Sequence, residues 1–221
     1  DEGKGYIMKA DTGGSVVQFI GNLRTSNITD IALTKDANAF NLVGNPFSGY
    51  ISVTNLMAAN DAGGNDLLTE STIWVWNSNT KGYEAKTGAY LIAPGQGFFV
   101  EATAAAATFT FNTSMLEALP SAGTDNFTSL KSGATPSIKL NITDGDLTRY
   151  AKVSYLDTAT NGFDNGFDGK LFGGVAQPFA VYTHLLNDNN GTKYQLQSLP
   201  NNDFESMVVP VGVNAAAGKE I

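Results

Sequence analysis

The sequence predicts an all-β fold: two tandem antiparallel β-sandwich (jelly-roll-like) domains, with at most one short helix near residues 52–60. Three observations predict it. Short segments of alternating apolar and polar residues recur along the chain, roughly ten residues apart. Turn-forming residues punctuate them, and Gly alone supplies 24 of 221 positions. Long segments of helical period are missing, so no βαβ nucleotide-binding unit can be built.

Each element follows from its local pattern. Residues 6–10 and 15–20 flank Asp11-Thr12-Gly13-Gly14, a hairpin signature. Strands are expected at 28–34 and 39–43, and Gly44-Asn45-Pro46 turns the chain, with Pro46 fixing φ. Residues 52–60 form the helix candidate, because Ser52 can cap it and Val53, Leu56 and Met57 share a face. Residues 72–76 and 83–86 make a hairpin across an Asn/Ser/Gly turn, and further strands are expected at 90–93, 97–102 and 108–111. In the last of these, Thr108-Phe109-Thr110-Phe111 alternates strictly, one face buried and one wet. The segment 115–136 loses periodicity and carries Pro120 and Pro136. The chain therefore divides into a first sandwich over 1–118, a boundary region over 119–136, and a second sandwich over 137–221, incomplete at its C-terminal end. Strands of the second are expected at 137–143, 150–156, 180–182, 194–199 and 207–213.

Composition narrows the function. Asp and Glu number 21 against 13 Lys and Arg, a net charge of -8. Such a chain repels nucleic acid and anionic lipid, whose binding needs Lys and Arg to displace counterions. No Cys is present and His184 is the single His, which excludes disulfides, thiolate metal sites and cysteine nucleophiles. No Gly-x-Ser-x-Gly elbow accompanies His184. No apolar run reaches the length of a membrane span. The expectation is a chain that is not an enzyme.

Several strings together carry a resemblance. They are Gly5-Tyr6-Ile7-Met8-Lys9-Ala10, residues 40–47 (FNLVGNPF), residues 73–77 (IWVWN), residues 92–100 (IAPGQGFFV) and residues 109–115. Ala159-Thr160-Asn161-Gly162-Phe163-Asp164, with Phe167-Asp168 and Lys170-Leu171, follows in the second half. Leu199-Pro200 and Val209-Pro210-Val211-Gly212 complete the series. The order and spacing resemble the β-rich modules that precede the C-terminal sorting domain in large proteins exported by the type IX (Por) secretion system of Bacteroidetes. The resemblance implies an extracellular, cell-surface location and a role as spacer, adhesin segment or partner-holding domain. It implies an excerpt of a longer polypeptide whose first and last sheets are completed by neighbouring chain. The partners implied are other modules of that polypeptide, or surface and secretion proteins, with no nucleic acid and no membrane insertion. Two other assemblies fit the same resemblance: a subunit of a surface filament, and cargo bound to the secretion machinery.

Four groups of residues carry chemical potential. Trp74 and Trp76 lie two apart on one strand and so share a face, with Tyr83 joining them across the hairpin. Large aromatics most often pack a core; exposed and coplanar, these three would form a platform for sugar rings, the carbohydrate-binding alternative. Asp157, Asp164 and Asp168 lie in a Gly/Asn-rich segment with the hard oxygen ligands that Ca²⁺ prefers. Turn formation explains the same composition, and no cofactor is expected beyond this structural Ca²⁺ alternative. Asp157-Thr158-Ala159 fits the Asp-Ser/Thr-small-apolar pattern for O-glycosylation, which would place a glycan on Thr158. Pro94-Gly95-Gln96-Gly97 has neither the helix nor the Lys of a phosphate loop and reads as a tight turn.

Overall fold

The computed structural model describes residues 2–7, 24–35, 38–61, 67–104, 108–118, 135–202, 206–218 and 220. Most of the expected hairpin over 6–20 and most of the boundary region 119–136 lie outside these residues. The first part contains β1 (Ile28–Ala32), β2 (Phe40–Gly44), β3 (Tyr50–Ser52), α1 (Val53–Asn60), β4 (Ile73–Asn77), β5 (Gly82–Lys86), β6 (Leu91–Ile92), β7 (Gly97–Glu101), β8 (Thr108–Phe111) and β9 (Leu116–Glu117). The second contains β10 (Ser137–Thr143), β11 (Thr148–Leu156), β12 (Gly169–Lys170), β13 (Ala180–Thr183), β14 (Tyr194–Pro200) and β15 (Val211–Asn214). The chain is all-β, as its patterning predicts, and its described residues hold one short α-helix and a single 3-10 turn at Thr113–Met115. No helix among the described residues is long and apolar enough to cross a membrane.

The helix forms where its cap is. Ser52 is extended, and its side chain accepts from the Asn55 backbone N–H, satisfying one of the orphan donors of the first turn. Val53, Leu56 and Met57 are buried on the face the spacing assigns them. The turn at Asn45 is equally specified. Its buried carboxamide donates to Gly49 O, Ile92 O and Ala93 O and accepts from Phe47 N–H. One side chain thus stands in for missing ladder bonds where β2 ends.

The first part holds three sheets, in the orders β2-β7-β4-β5, β6-β3-β9 and β1-β8. Alternation along the four-stranded sheet divides its residues between two clusters. Val43, Ile73, Val75, Phe98 and Val100 enter the main core with α1 and the two smaller sheets. Phe40, Trp74, Tyr83, Ala85 and Phe99 face the other way and form an aromatic layer.

The second part is one mixed sheet in the order β10-β11-β14-β13-β15, with β12 also on β14. Its pairs are antiparallel except β11 with β14, which run parallel over Lys152–Leu156 and Leu196–Pro200. A parallel pair needs a long crossover, and here residues 157–193 supply it, looping through β12 and β13.

The two parts interlock. Phe172, just after β12, enters the aromatic layer, its ring centroid 4.6 Å from Tyr83, 4.9 Å from Phe40, 5.0 Å from Phe99 and 5.8 Å from Trp74. Trp74 Nε1 donates to Lys170 O, Thr72 Oγ1 to Asp168 O, and Ala85 N–H to Gln195 Oε1. The Arg149 guanidinium donates to the carbonyls of Thr80 and Lys81 at the tip of the β4–β5 hairpin. Gly169 sits at a close approach of the two parts: a Cβ there would lie 3.0 Å from the Ala85 Cβ and 3.3 Å from Thr72 Cγ2.

Candidate functional site

Two places concentrate the residues singled out by the sequence: the aromatic face of the four-stranded sheet and the loop before β12.

On the aromatic face, Trp74, Trp76 and Tyr83 share one side as their spacing requires. Their exposures differ. Trp74 is 1 % exposed and Trp76 is 54 % exposed. Phe172 and the Trp74–Lys170 hydrogen bond seal the Trp74 end, while among the described residues of the second part none makes a comparable contact with Trp76. Trp74 is therefore a packing residue, and the expectation that it presents a ligand-binding surface is corrected. Nor are the open rings coplanar: Trp76 meets Tyr83 edge-on, centroids 5.1 Å apart at 68°. What remains open is a cleft of about 450 Å³ whose lining includes Tyr6, Ile7, Leu42, Trp76, Tyr83 and Phe99. The sequence marks Tyr6 and Ile7 within a string that carries the family resemblance, but not as site residues. Their placement depends on Gly3–Gly5 running alongside β2, with Gly5 N–H donating to Leu42 O and Gly44 N–H to Gly3 O. Burial pushes the Tyr83 phenol above its ordinary value, so its hydroxyl stays protonated and able to donate across the neutral range.

In the loop before β12, Asp164 and Asp168 do converge, as the bends at Gly162 and Gly166 suggest. Each carboxylate is occupied by protein donors. Asp168 is fully buried and accepts from Ser198 N–H at 2.6 Å, Ser198 Oγ at 2.7 Å and Asp164 N–H at 2.8 Å. Asp164 accepts from Thr160 N–H and Oγ1. Burial raises the Asp168 carboxyl, and the backbone bonds of Asp164 and Ser198 offset this only in part. Asp157 stands apart, accepting from Asn201 Nδ2 at the end of β14. The three acids do not assemble into one site, and no group of three or more His, Asp or Glu able to hold a metal occurs among the described residues. The geometry is that of a tie fastening the loop to β14, which sets Gly169 and Lys170 against the first part.

Beside that tie lies an ion pair across the seam. Glu70 is 1 % exposed; its Oε2 accepts the Lys170 backbone N–H, and its Oε1 faces the Lys170 ammonium at 3.2 Å. Burial pushes the Glu70 carboxyl up, outweighing the charge and hydrogen bonds of Lys170. A second ion pair, Lys86 with Glu84 at 2.8 Å, is reached by the Tyr150 hydroxyl from β11. Burial raises Glu84, but Lys86, Asn77 and Thr80 together hold it below its usual value.

The remaining candidates resolve simply. Gln96 Oε1 accepts from Ala93 N–H and Gly95 has φ +70°, so residues 94–97 are a turn. His184 Nδ1 lies 2.8 Å from Thr192 O. Thr158 is exposed in the turn that follows β11.

The family model described as a domain of unknown function (DUF8693) matches residues 76–220, well over half of the chain. The match takes in Trp76, Tyr83, the Asp164–Asp168 tie and Lys170. No curated protein and no solved structure matches the chain.

Proposed function

The chain belongs to the DUF8693 family, and from that premise we propose that it serves as a non-enzymatic, rigid spacer and presenting module of a large bacterial surface protein. The observation that carries the reading is the seam. Phe172 in its aromatic socket, the Trp74–Lys170 bond and the Glu70–Lys170 pair join the first part to the second. A module that holds a partner domain at fixed distance needs this, because hinging between its halves would dissipate the spacing. The acids of the Asp164–Asp168 tie are likewise spent on backbone and hydroxyl donors rather than left free for proton transfer.

The resemblance to type IX exported modules adds the location: the outer face of the cell, among other modules of one polypeptide or surface and secretion proteins. Thr158, exposed in its turn, is available for O-glycosylation there. Antibody labelling and protease digestion of intact producing cells test the reading. Digestion without lysis is expected; protection until the cells are broken would overturn it.

A second reading is carbohydrate binding. The exposed Trp76 ring over a preformed cleft favours it, with Trp76 and Tyr83 in the roles the sequence assigned and Trp74 removed from them.

A further inference from the structure

We propose that the cleft beside Trp76 takes neutral oligosaccharides in preference to acidic ones, with a pyranose ring stacked on the Trp76 face and the chain running past Gly97. This rests on the carbohydrate-binding reading and narrows its ligand class. The Trp76 ring is held by edge contact with Tyr83, so its exposed face is presented without the entropy loss of ordering a mobile side chain. The C–H hydrogens of a pyranose carry partial positive charge and match the negative face of an indole. Leu42 and Phe99 floor the cleft, and Tyr6 and Ile7 wall it.

The lining decides the class. Among the described residues it holds no charged side chain and no carboxamide; its side-chain polar groups are the indole N–H groups of Trp74, already bonded to Lys170 O, and of Trp76, and the phenols of Tyr6 and Tyr83. A uronate or sialate on the Trp76 face would lose its hydration with no Lys or Arg among the described lining residues to replace it, on a chain of net charge -8. A neutral ring loses far less. An added peptide strand is disfavoured for a different reason. The β2 edge that borders the cleft is already taken, since Gly5 bonds Leu42 O and Lys4 bridges Val43.

Gly97 supplies a control that leaves the fold intact. A Cβ there would meet Leu42 Cδ1 at 3.6 Å and Val43 O at 3.7 Å, ordinary contacts. Gly97→Val therefore places a β-branched side chain, favoured in strands, at the edge of the cleft with its Cβ in ordinary contact.

The test titrates the intact chain with cellohexaose, mannohexaose and xylohexaose as neutral probes, oligogalacturonate as the acidic probe, and a proline-rich decapeptide. Calorimetry and Trp fluorescence give the readouts. The expected result is saturable binding of at least one neutral hexasaccharide, at least tenfold tighter than oligogalacturonate. Trp76→Ala and Gly97→Val should each weaken it at least tenfold with unchanged unfolding midpoints, and Trp76→Phe should restore part of it. Trp76-dependent binding of oligogalacturonate, as tight as any neutral sugar, would overturn the ligand class and leave the carbohydrate reading standing. Binding of the peptide alone, or of no probe by folded protein, would overturn both.

Discussion

Trp74 and Trp76 sit two residues apart on one face, yet they do opposite things. Trp74 is sealed under Phe172 with its N–H bonded to Lys170 O; Trp76 is open. Trp74→Ala should cost about 3–5 kcal/mol in urea unfolding, as large buried aromatics do, while Trp76→Ala should stay within about 0.5 kcal/mol. Period-2 alternation made the shared face legible in the sequence. It could not tell which ring is covered, because the covering side chain comes from the far part of the chain. The acids show the same limit. Gly/Asn-rich composition located the Asp164–Asp168 loop, but the donors that occupy it come partly from Ser198. Glu70, with no motif around it, was not visible at all. Its titration is a residue-scale prediction. Burial raises its folded-state pKa above the ordinary 4.5, so the native chain retains a proton that the unfolded chain releases. That contribution is complete below 4.5 and is lost as pH rises through the folded value. The stability of the wild type relative to Glu70→Gln should accordingly fall across the pH range that begins at about 4.5 and passes through the raised folded value. A difference that stays flat across that range would contradict the assignment.

Elements with enough residues to show a period were legible. Residues 108–111 and 137–143 are strands with the expected bounds, and the helix begins one residue after its cap. Ser52→Ala should destabilise by about 1 kcal/mol through loss of the cap, read as a lower urea midpoint. The strands missed are β3, β9 and β12, of three, two and two residues. Such stretches carry no period; tertiary pairing alone defines them. The short β12 nonetheless positions the seam, and two variants probe it. Phe172→Ala should cost about 3–5 kcal/mol and shift Trp74 emission to the red as water reaches the indole. Gly169→Ala should cost about 1–3 kcal/mol by overpacking, because the new methyl would meet the Ala85 Cβ at 3.0 Å. An unchanged midpoint in both would mean that the two parts do not depend on this contact.

At the scale of the molecule, the β-rich character of the chain was legible in the sequence, but the manner in which its sheets join was not. The parallel β11–β14 pair and the aromatic socket link positions far apart in sequence, and local patterning carries no information about such pairs. The consequence is a chain whose two parts share buried surface: Leu196 of β14 packs in the same cluster as Trp74 and Ala85 of β4 and β5. A mechanical spacer requires that coupling. Scanning calorimetry of the intact chain tests it most directly. The account predicts a single transition whose calorimetric and van't Hoff enthalpies agree, with Trp fluorescence and far-ultraviolet dichroism reporting the same midpoint. Two resolved transitions, with Trp fluorescence following only one of them, would show two parts that unfold separately and would contradict the rigid module.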